Sequence, residues 1–149
     1  MKPTSVSRRD LYGGSDIVRP KAKKRRPRGT SDTTLQTLWR AVVRAQWGGK
    51  CAFSDGECRG DLECHHIIKR ARPHLKHVPA NGILLCQAHH SMVEQFPSWR
   101  QKVSEAVGED TMEWLEDRAR KHLPDFLIEQ GQTRSEWLAS TKAYLKALL

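Results

Sequence analysis

The residues of this chain that could carry out chemistry are concentrated in one segment. All four cysteines and six of the seven histidines lie between residues 51 and 90. Thiolates and imidazoles are the ligands of structural Zn²⁺ sites, where they come in pairs separated by a few residues. Two such pairs predict a tetrahedral zinc site formed by Cys51, Cys58, Cys86 and His89. The gap between the first two cysteines is longer than usual, so Cys64 is an alternative ligand.

A second set of residues in this segment is suited to phosphodiester hydrolysis. It comprises His65, His66, Asn81 and His90. Hydrolysis needs an activated water, a Lewis acid on the phosphate and stabilisation of the leaving oxygen. A histidine can activate the water, further imidazoles can bind a divalent metal, and an asparagine can hold a loop in place. The alternative is structural, because both adjacent histidines could be zinc ligands together with the first two cysteines.

Hydropathy and capping signals indicate the elements that must position these residues. Apolar residues between positions 35 and 43 recur at helical spacing, after a capping Ser31 or Asp32. Residues 62–68 and 82–85 form two apolar runs that predict strands joined by a basic loop. The pattern over Gln87–Gln95 suits a short helix that Pro97 ends. The sequence therefore predicts an α+β fold in which a small two-stranded unit carries both sets of residues.

The last third of the chain, residues 98–149, predicts a helical extension. Three capping signals divide it, namely Ser98, Asp110 with Glu113, and Thr133 with Glu136. Its large aromatic side chains are expected in the core, namely Trp114, Trp137 and Tyr144. The predicted organisation is therefore a tail over 1–30, a module over 31–97 and the extension over 98–149.

The net charge of +9 is concentrated in the tail, where residues 1–30 contain ten basic and two acidic side chains. The run around Lys23, Lys24, Arg25 and Arg26 contains prolines and no apolar periodicity, which predicts disorder. A flexible polycation binds the phosphate backbone of nucleic acids through counterion release. The alternative is a solubilising or targeting tail.

The loop between the two predicted strands is also basic. Its cations include Lys69, Arg70, Arg72 and Lys76, with His74 and His77 among them. Beside a hydrolytic site they would contact phosphates that flank the cut, a contact that needs no base recognition. The alternative is an ordinary solvated loop.

Hydropathy excludes a membrane-embedded protein, because no stretch approaches about 18 consecutive apolar residues. The first ten residues lack the apolar segment of a secretory signal, so we expect a cytoplasmic protein. In a reducing compartment the cysteines point to metal binding or catalysis and not to disulfides.

The order of these motifs resembles a known family. The run His66, Asn81 and His90, with the cysteine pairs around it and LWRAVVRAQWGGKC before it, is similar to HNH endonucleases of the ββα-metal type. The resemblance covers residues 35–97. The helical extension is more weakly similar to that of phage recombination proteins of the NinG kind.

The resemblance implies a role for each matching residue. His66 would be the general base that deprotonates water, and Asn81 would orient its loop. His65 and His90 would bind one catalytic divalent ion, Mg²⁺ or Mn²⁺, with Glu94 as a weak further ligand. The products would carry 5′-phosphate and 3′-hydroxyl ends. His89 stands where most zinc-bearing members have cysteine, so it could serve either metal.

The resemblance also implies partners. DNA would be the substrate, in phage DNA processing or recombination in the host cytoplasm, with other phage or host DNA-processing proteins as further partners. A homodimer would be needed for paired cuts, although no heptad pattern predicts one. The rival hypothesis is a non-catalytic zinc module that binds nucleic acid and recruits partners.

Overall fold

The structure, a computed structural model, describes residues 31–69 and 71–149. This part of the chain contains six α-helices and a two-stranded antiparallel sheet, so the α+β class predicted from the sequence is confirmed. In chain order the elements are α1 (Asp32–Gln46), β1 (Leu62–His66), a 3₁₀ turn (Pro79–Asn81), β2 (Gly82–Cys86), α2 (Gln87–Gln95), α3 (Trp99–Val107), α4 (Glu109–Arg120), α5 (Leu123–Gln130) and α6 (Arg134–Ala147). Arg70 and the four tail cations at positions 23–26 lie outside the described residues. No helix in the described part is long and apolar enough to span a membrane.

Helix α1 forms where the periodicity predicts it. The Ser31 hydroxyl accepts the backbone N–H of Thr34 at 3.2 Å and so caps the first turn. The buried face consists of Leu35, Trp39, Val42 and Val43. Two glycines with positive φ, Gly48 and Gly49, follow the end of the helix and let the chain turn toward the first cysteine.

The sheet is short because side-chain hydrogen bonds replace the ladder at one end. Strand β1 pairs with β2 from Leu62 opposite Cys86 to His66 opposite Gly82. The predicted first strand continued to Ile68, but the Asn81 side chain binds both the N–H and the carbonyl of Ile68. After His66 one more backbone hydrogen bond forms, from the Ile67 N–H to the Asn81 carbonyl at 3.1 Å, and the chain then leaves the sheet.

All five residues of β2 are buried, and they divide the core into two clusters. Leu84 packs against the buried face of α1 and against Leu145 of α6. Ile83 and Leu85 face the other way and pack with Cys86 and with Val103 of α3. This alternation is that of a strand covered on both faces. The sheet is therefore held between α1 with α6 on one side and α2 with α3 on the other.

The C-terminal extension agrees with the sequence in some places and differs in others. The predicted capping box of Thr133 with Glu136 begins α6. The one predicted at Asp110 and Glu113 is wrong, because the N-cap of α4 is Gly108, two residues before Asp110, and no side chain caps the helix. Of the aromatic residues expected in the core, Trp137 is buried. Trp114 and Tyr144 are 41% and 55% exposed, so that expectation is wrong for both.

Candidate functional site

Four predicted ligands meet at the junction of β2 and α2. The Nδ1 atom of His89 lies 3.4 Å from Cys51 Sγ, 3.6 Å from Cys58 Sγ and 3.2 Å from Cys86 Sγ. In a tetrahedral zinc site, Zn–S and Zn–N bond lengths give a nitrogen-to-sulfur edge of about 3.5 Å. The four ligand atoms are thus arranged as a Cys3His group that could bind a metal such as zinc.

Short backbone contacts bring these ligands together. Cys86 ends β2 and precedes the first residue of α2, so His89 follows within the first turn. The N–H of Ala52 donates to the Leu84 carbonyl at 2.8 Å, which attaches the loop of Cys51 to the same strand. A turn in which the Cys58 N–H donates to the Asp55 carbonyl then directs Cys58 back toward the group.

Asp55 is a contributor that the sequence reading missed. Its Oδ2 lies 3.2 Å from His89 Nε2, the nitrogen opposite the one that faces the sulfurs. A carboxylate at this position orients a metal-binding imidazole and fixes which nitrogen is the ligand. The sequence signal for such a role was the position of Asp55 in the loop between Cys51 and Cys58.

The local environment favours thiolate at two of the three cysteines. Burial raises the pKa of Cys86, but backbone N–H groups of His89 and Arg59 outweigh it, and the pKa falls to about 7. At Cys51 burial is likewise outweighed by backbone hydrogen bonds, which lower its pKa. Burial and the neighbouring thiolates raise the pKa of Cys58 to about 11. Thiolate is the form that binds metals.

The structure separates the alternatives for this group. Cys64 lies outside it, with Sγ 3.6 Å from the Arg40 carbonyl, so Cys58 is the residue in the group. His65 and His66 are also outside it, which excludes the arrangement in which they complete a site with the first two cysteines.

A second group forms on the other side of α2. His65, His90 and Glu94 place their ligand atoms within 4.8 Å of one another. The rings of His65 and His90 meet edge to face, with centroids 4.8 Å apart. Glu94 follows one helical turn after His90, and its Oε1 lies 3.4 Å from His90 Nε2. Two imidazoles and a carboxylate therefore converge on one point.

Glu63 supports this second group and was missed from the sequence. Its Oε2 lies 2.6 Å from His90 Nδ1, so the carboxylate accepts a hydrogen bond from Nδ1–H, and Nε2 is the nitrogen that faces Glu94. The signal was present, because residues two apart on a strand share a face and Glu63 precedes His65 by two.

His66 lies on the opposite face of β1 from His65. It is buried, and its ring stacks on that of Trp39 with centroids 4.0 Å apart and planes at 9°. Its Nε2 lies 2.8 Å from the Lys76 carbonyl, which can only accept a hydrogen bond. Nε2 therefore carries the proton in the neutral ring, and Nδ1 is the basic nitrogen. The Trp39 N–H in turn donates to the Val78 carbonyl at 2.9 Å.

Asn81 fixes the loop that provides the Lys76 carbonyl. The side chain is fully buried, its Oδ1 accepts from the Ile68 N–H at 2.7 Å, and its Nδ2 donates to the carbonyls of Ile68 and Leu75. Leu75 directly precedes Lys76. Asn81 thus joins both ends of the interstrand loop and sets where the Lys76 carbonyl stands.

One cleft of about 1000 Å³ brings these parts together. Its lining includes His65, His66, His90 and Glu94, and four cationic side chains, Arg40, Arg44, Lys69 and Arg100. Among the described cations of the interstrand loop, Lys69 lines the cleft, and Arg72 is half-buried outside its lining. Lys76 pairs with Asp32 at 2.6 Å. His74 and His77 are buried.

No protein-family model, no curated protein and no solved structure matches the chain. The fold and the sites define the class: a small α+β protein with a Cys3His group at one end of a two-stranded sheet. Beside it, a group of two histidines and a glutamate opens into a basic cleft.

Proposed function

We propose that the protein is a metal-dependent DNA endonuclease of the HNH type that hydrolyses phosphodiester bonds. One observation carries the proposal. The group of His65, His90 and Glu94 lines the same cleft as His66, a histidine whose Nε2–H donates to the Lys76 carbonyl. A metal group and a base in a single cleft are the two components that this hydrolysis needs. A role in phage DNA processing or recombination follows from the resemblance alone.

The donor set of the second group fits a divalent ion. Two imidazole nitrogens and one carboxylate leave coordination positions open for water and a phosphate oxygen. When bound, a divalent ion would act as a Lewis acid on the scissile phosphate and stabilise charge on the leaving oxygen. Because Mg²⁺ prefers oxygen ligands and imidazole suits transition metals, this set favours Mn²⁺ over Mg²⁺.

The remaining steps belong to side chains of this chain. His66 Nδ1 would take a proton from water as the water oxygen attacks phosphorus. Throughout this step Nε2–H would remain hydrogen-bonded to the Lys76 carbonyl. The bond between phosphorus and the 3′-oxygen breaks, and a proton from solvent completes the 3′-hydroxyl. Stacking on Trp39 holds the ring plane, and Asn81 holds the loop. Neither contact has to change during the reaction, as expected for a preorganised base.

Cleavage of supercoiled plasmid with Mg²⁺ or Mn²⁺ tests the proposal. We expect wild type to nick or linearise the plasmid, and His66→Ala to lose about 10²–10⁴-fold in rate. His122→Ala is the matched control, because this histidine is exposed and lies outside the cleft lining.

Three outcomes would count against the proposal. Equal cutting by wild type and His66→Ala would reject His66 as the base. Loss of helicity in His66→Ala would indicate a structural role instead. No cutting by either protein, with DNA binding retained, would favour the rival zinc-dependent binding module.

A further inference from the structure

The described part of the interstrand loop contributes little positive charge to the lining of the cleft. In the described part of that loop, the charge of Lys76 is paired with Asp32 and two histidines are buried. Lys69 alone of its described cations lines the cleft. A nuclease must still neutralise phosphates beside the cut. Further positive charge in the cleft comes from other elements.

Helix α1 supplies it through Arg40 and Arg44. Both side chains are exposed and line the cleft. They stand four residues apart, which is about 6 Å along one face of a helix. The Arg44 guanidinium also donates to the Leu62 carbonyl at 2.7 Å, which places it against the first residue of β1.

Strand β1 packs against this part of α1. The Sγ of Cys64 lies 3.6 Å from the Arg40 carbonyl. Cys64 directly precedes His65. Arg40 and Arg44 therefore stand beside the strand that carries the proposed metal ligand and the proposed base.

The two arginines are arranged at a cost to the helix. Like charges four residues apart repel each other. Within residues 31–69 and 71–149 no carboxylate forms an ion pair with either of them. Arg100, on the other wall of the cleft, differs because Glu116 pairs with it at 2.6 Å. An unneutralised pair in a cleft is suited to a polyanionic ligand.

We propose that Arg40 and Arg44 form a phosphate-binding site for the nucleic-acid backbone next to the scissile bond. Guanidinium groups bind phosphate oxygens through two parallel hydrogen bonds, without reading the bases. The site rests on the proposed function for its position beside the cut, but its binding can be measured without cleavage.

The test is binding of a fluorescent mixed-sequence duplex, and of its single strand, by the full chain in a His66→Ala background. Affinity is measured by anisotropy over a series of salt concentrations. Arg40→Gln and Arg44→Gln should each weaken binding and reduce the salt slope by about 1. Arg134→Gln, which removes an exposed arginine at the start of α6, should leave the slope unchanged.

Arg40→Lys and Arg44→Lys separate charge from structure. Each lysine variant should keep the slope of the parent protein, because the charge is retained. Slopes equal to that of Arg134→Gln in both glutamine variants would overturn the proposal. An equal loss of affinity in the lysine and glutamine variants, together with a lower melting temperature of these variants, would also overturn it. Absence of DNA binding by the parent protein would do the same.

The failure of this proposal differs from failure of the proposed function. Reduced slopes in the glutamine variants, with no plasmid cutting by wild type, would retain the phosphate site and reject the nuclease. Plasmid cutting that depends on His66, with unchanged salt slopes in the glutamine variants, would retain the nuclease and reject the phosphate site.

Discussion

Replacing Gly82 by alanine should destabilise the protein through close contacts with helix α1. Gly82 stands opposite His66 in the sheet, with φ −121° and ψ 132°, a conformation that alanine adopts without strain. A Cβ at this position would lie 2.9 Å from Trp39 Cζ2 and still closer to Val43 Cγ2. Ordinary contacts between carbon atoms are about 3.5–4.0 Å. Both neighbours are fully buried on α1, so the helix has to move away from the sheet.

Overpacking of this kind costs about 1–3 kcal/mol. Because two buried side chains of one helix are involved, we expect the upper end, about 3 kcal/mol, or on the order of 10 °C in melting temperature. Urea unfolding followed by circular dichroism measures it. Gly56→Ala is the matched control, since its Cβ would meet nothing within 4 Å. A difference between the two variants below about 0.5 kcal/mol would refute the close approach of α1 to β2.

The same substitution should also affect the site, since Trp39 stacks on His66. Cleavage by Gly82→Ala, measured at a temperature where it is fully folded, should be slower than by Gly56→Ala. Equal rates would show that displacement of Trp39 does not affect His66, the proposed base.

Three further predictions concern metals and pH. Glu63→Gln should weaken Mn²⁺ binding about 10–100-fold by calorimetry, because His90 loses its charged partner; unchanged affinity would contradict that role. Cys86→Ser should lower both the zinc content and the melting temperature, whereas Cys64→Ser should change neither; equal effects would contradict the ligand assignment. The capping hydrogen bonds from Thr133 lower the pKa of Glu136 below 4.5. The stability that the ionised carboxylate gives the protein is therefore present above pH 4.5 and is lost as pH falls through that lower pKa. The stability difference between wild type and Glu136→Gln should therefore shrink in acid, and a constant difference would reject the capping role.

Local patterns were enough to predict much of the architecture. The periodicity of α1, the short helix α2 and the capping box of Thr133 depend on residues within about one turn of each other. The Cys3His group could also be predicted, because ligand type and spacing leave few combinations of cysteine and histidine that could form one site. The choice between Cys58 and Cys64 was not, since it depends on which side of the sheet each sulfur reaches.

The parts that could not be predicted depend on contacts between distant elements. Stacking of Trp39 on His66 joins residues 27 positions apart, and the ion pair of Lys76 with Asp32 spans 44. From its place in a basic loop, the sequence predicts a phosphate contact for Lys76. In the structure its partner comes from the first turn of α1, which sequence spacing cannot indicate.

The two histidine pairs explain how so short a segment carries two groups of side chains that could each bind a metal. Consecutive strand residues point to opposite faces, so His65 meets His90 while His66 meets Trp39. Consecutive helix residues point about 100° apart, so His89 joins the cysteines while His90 turns to the cleft. The Cys3His group thus holds the first turn of the helix that presents His90. If zinc is bound there, its removal should loosen this turn and displace His90 from His65 and Glu94. Loss of Mn²⁺ binding after zinc removal would therefore not show which residues bind Mn²⁺. Only a variant that loses Mn²⁺ while it keeps zinc can assign the second group.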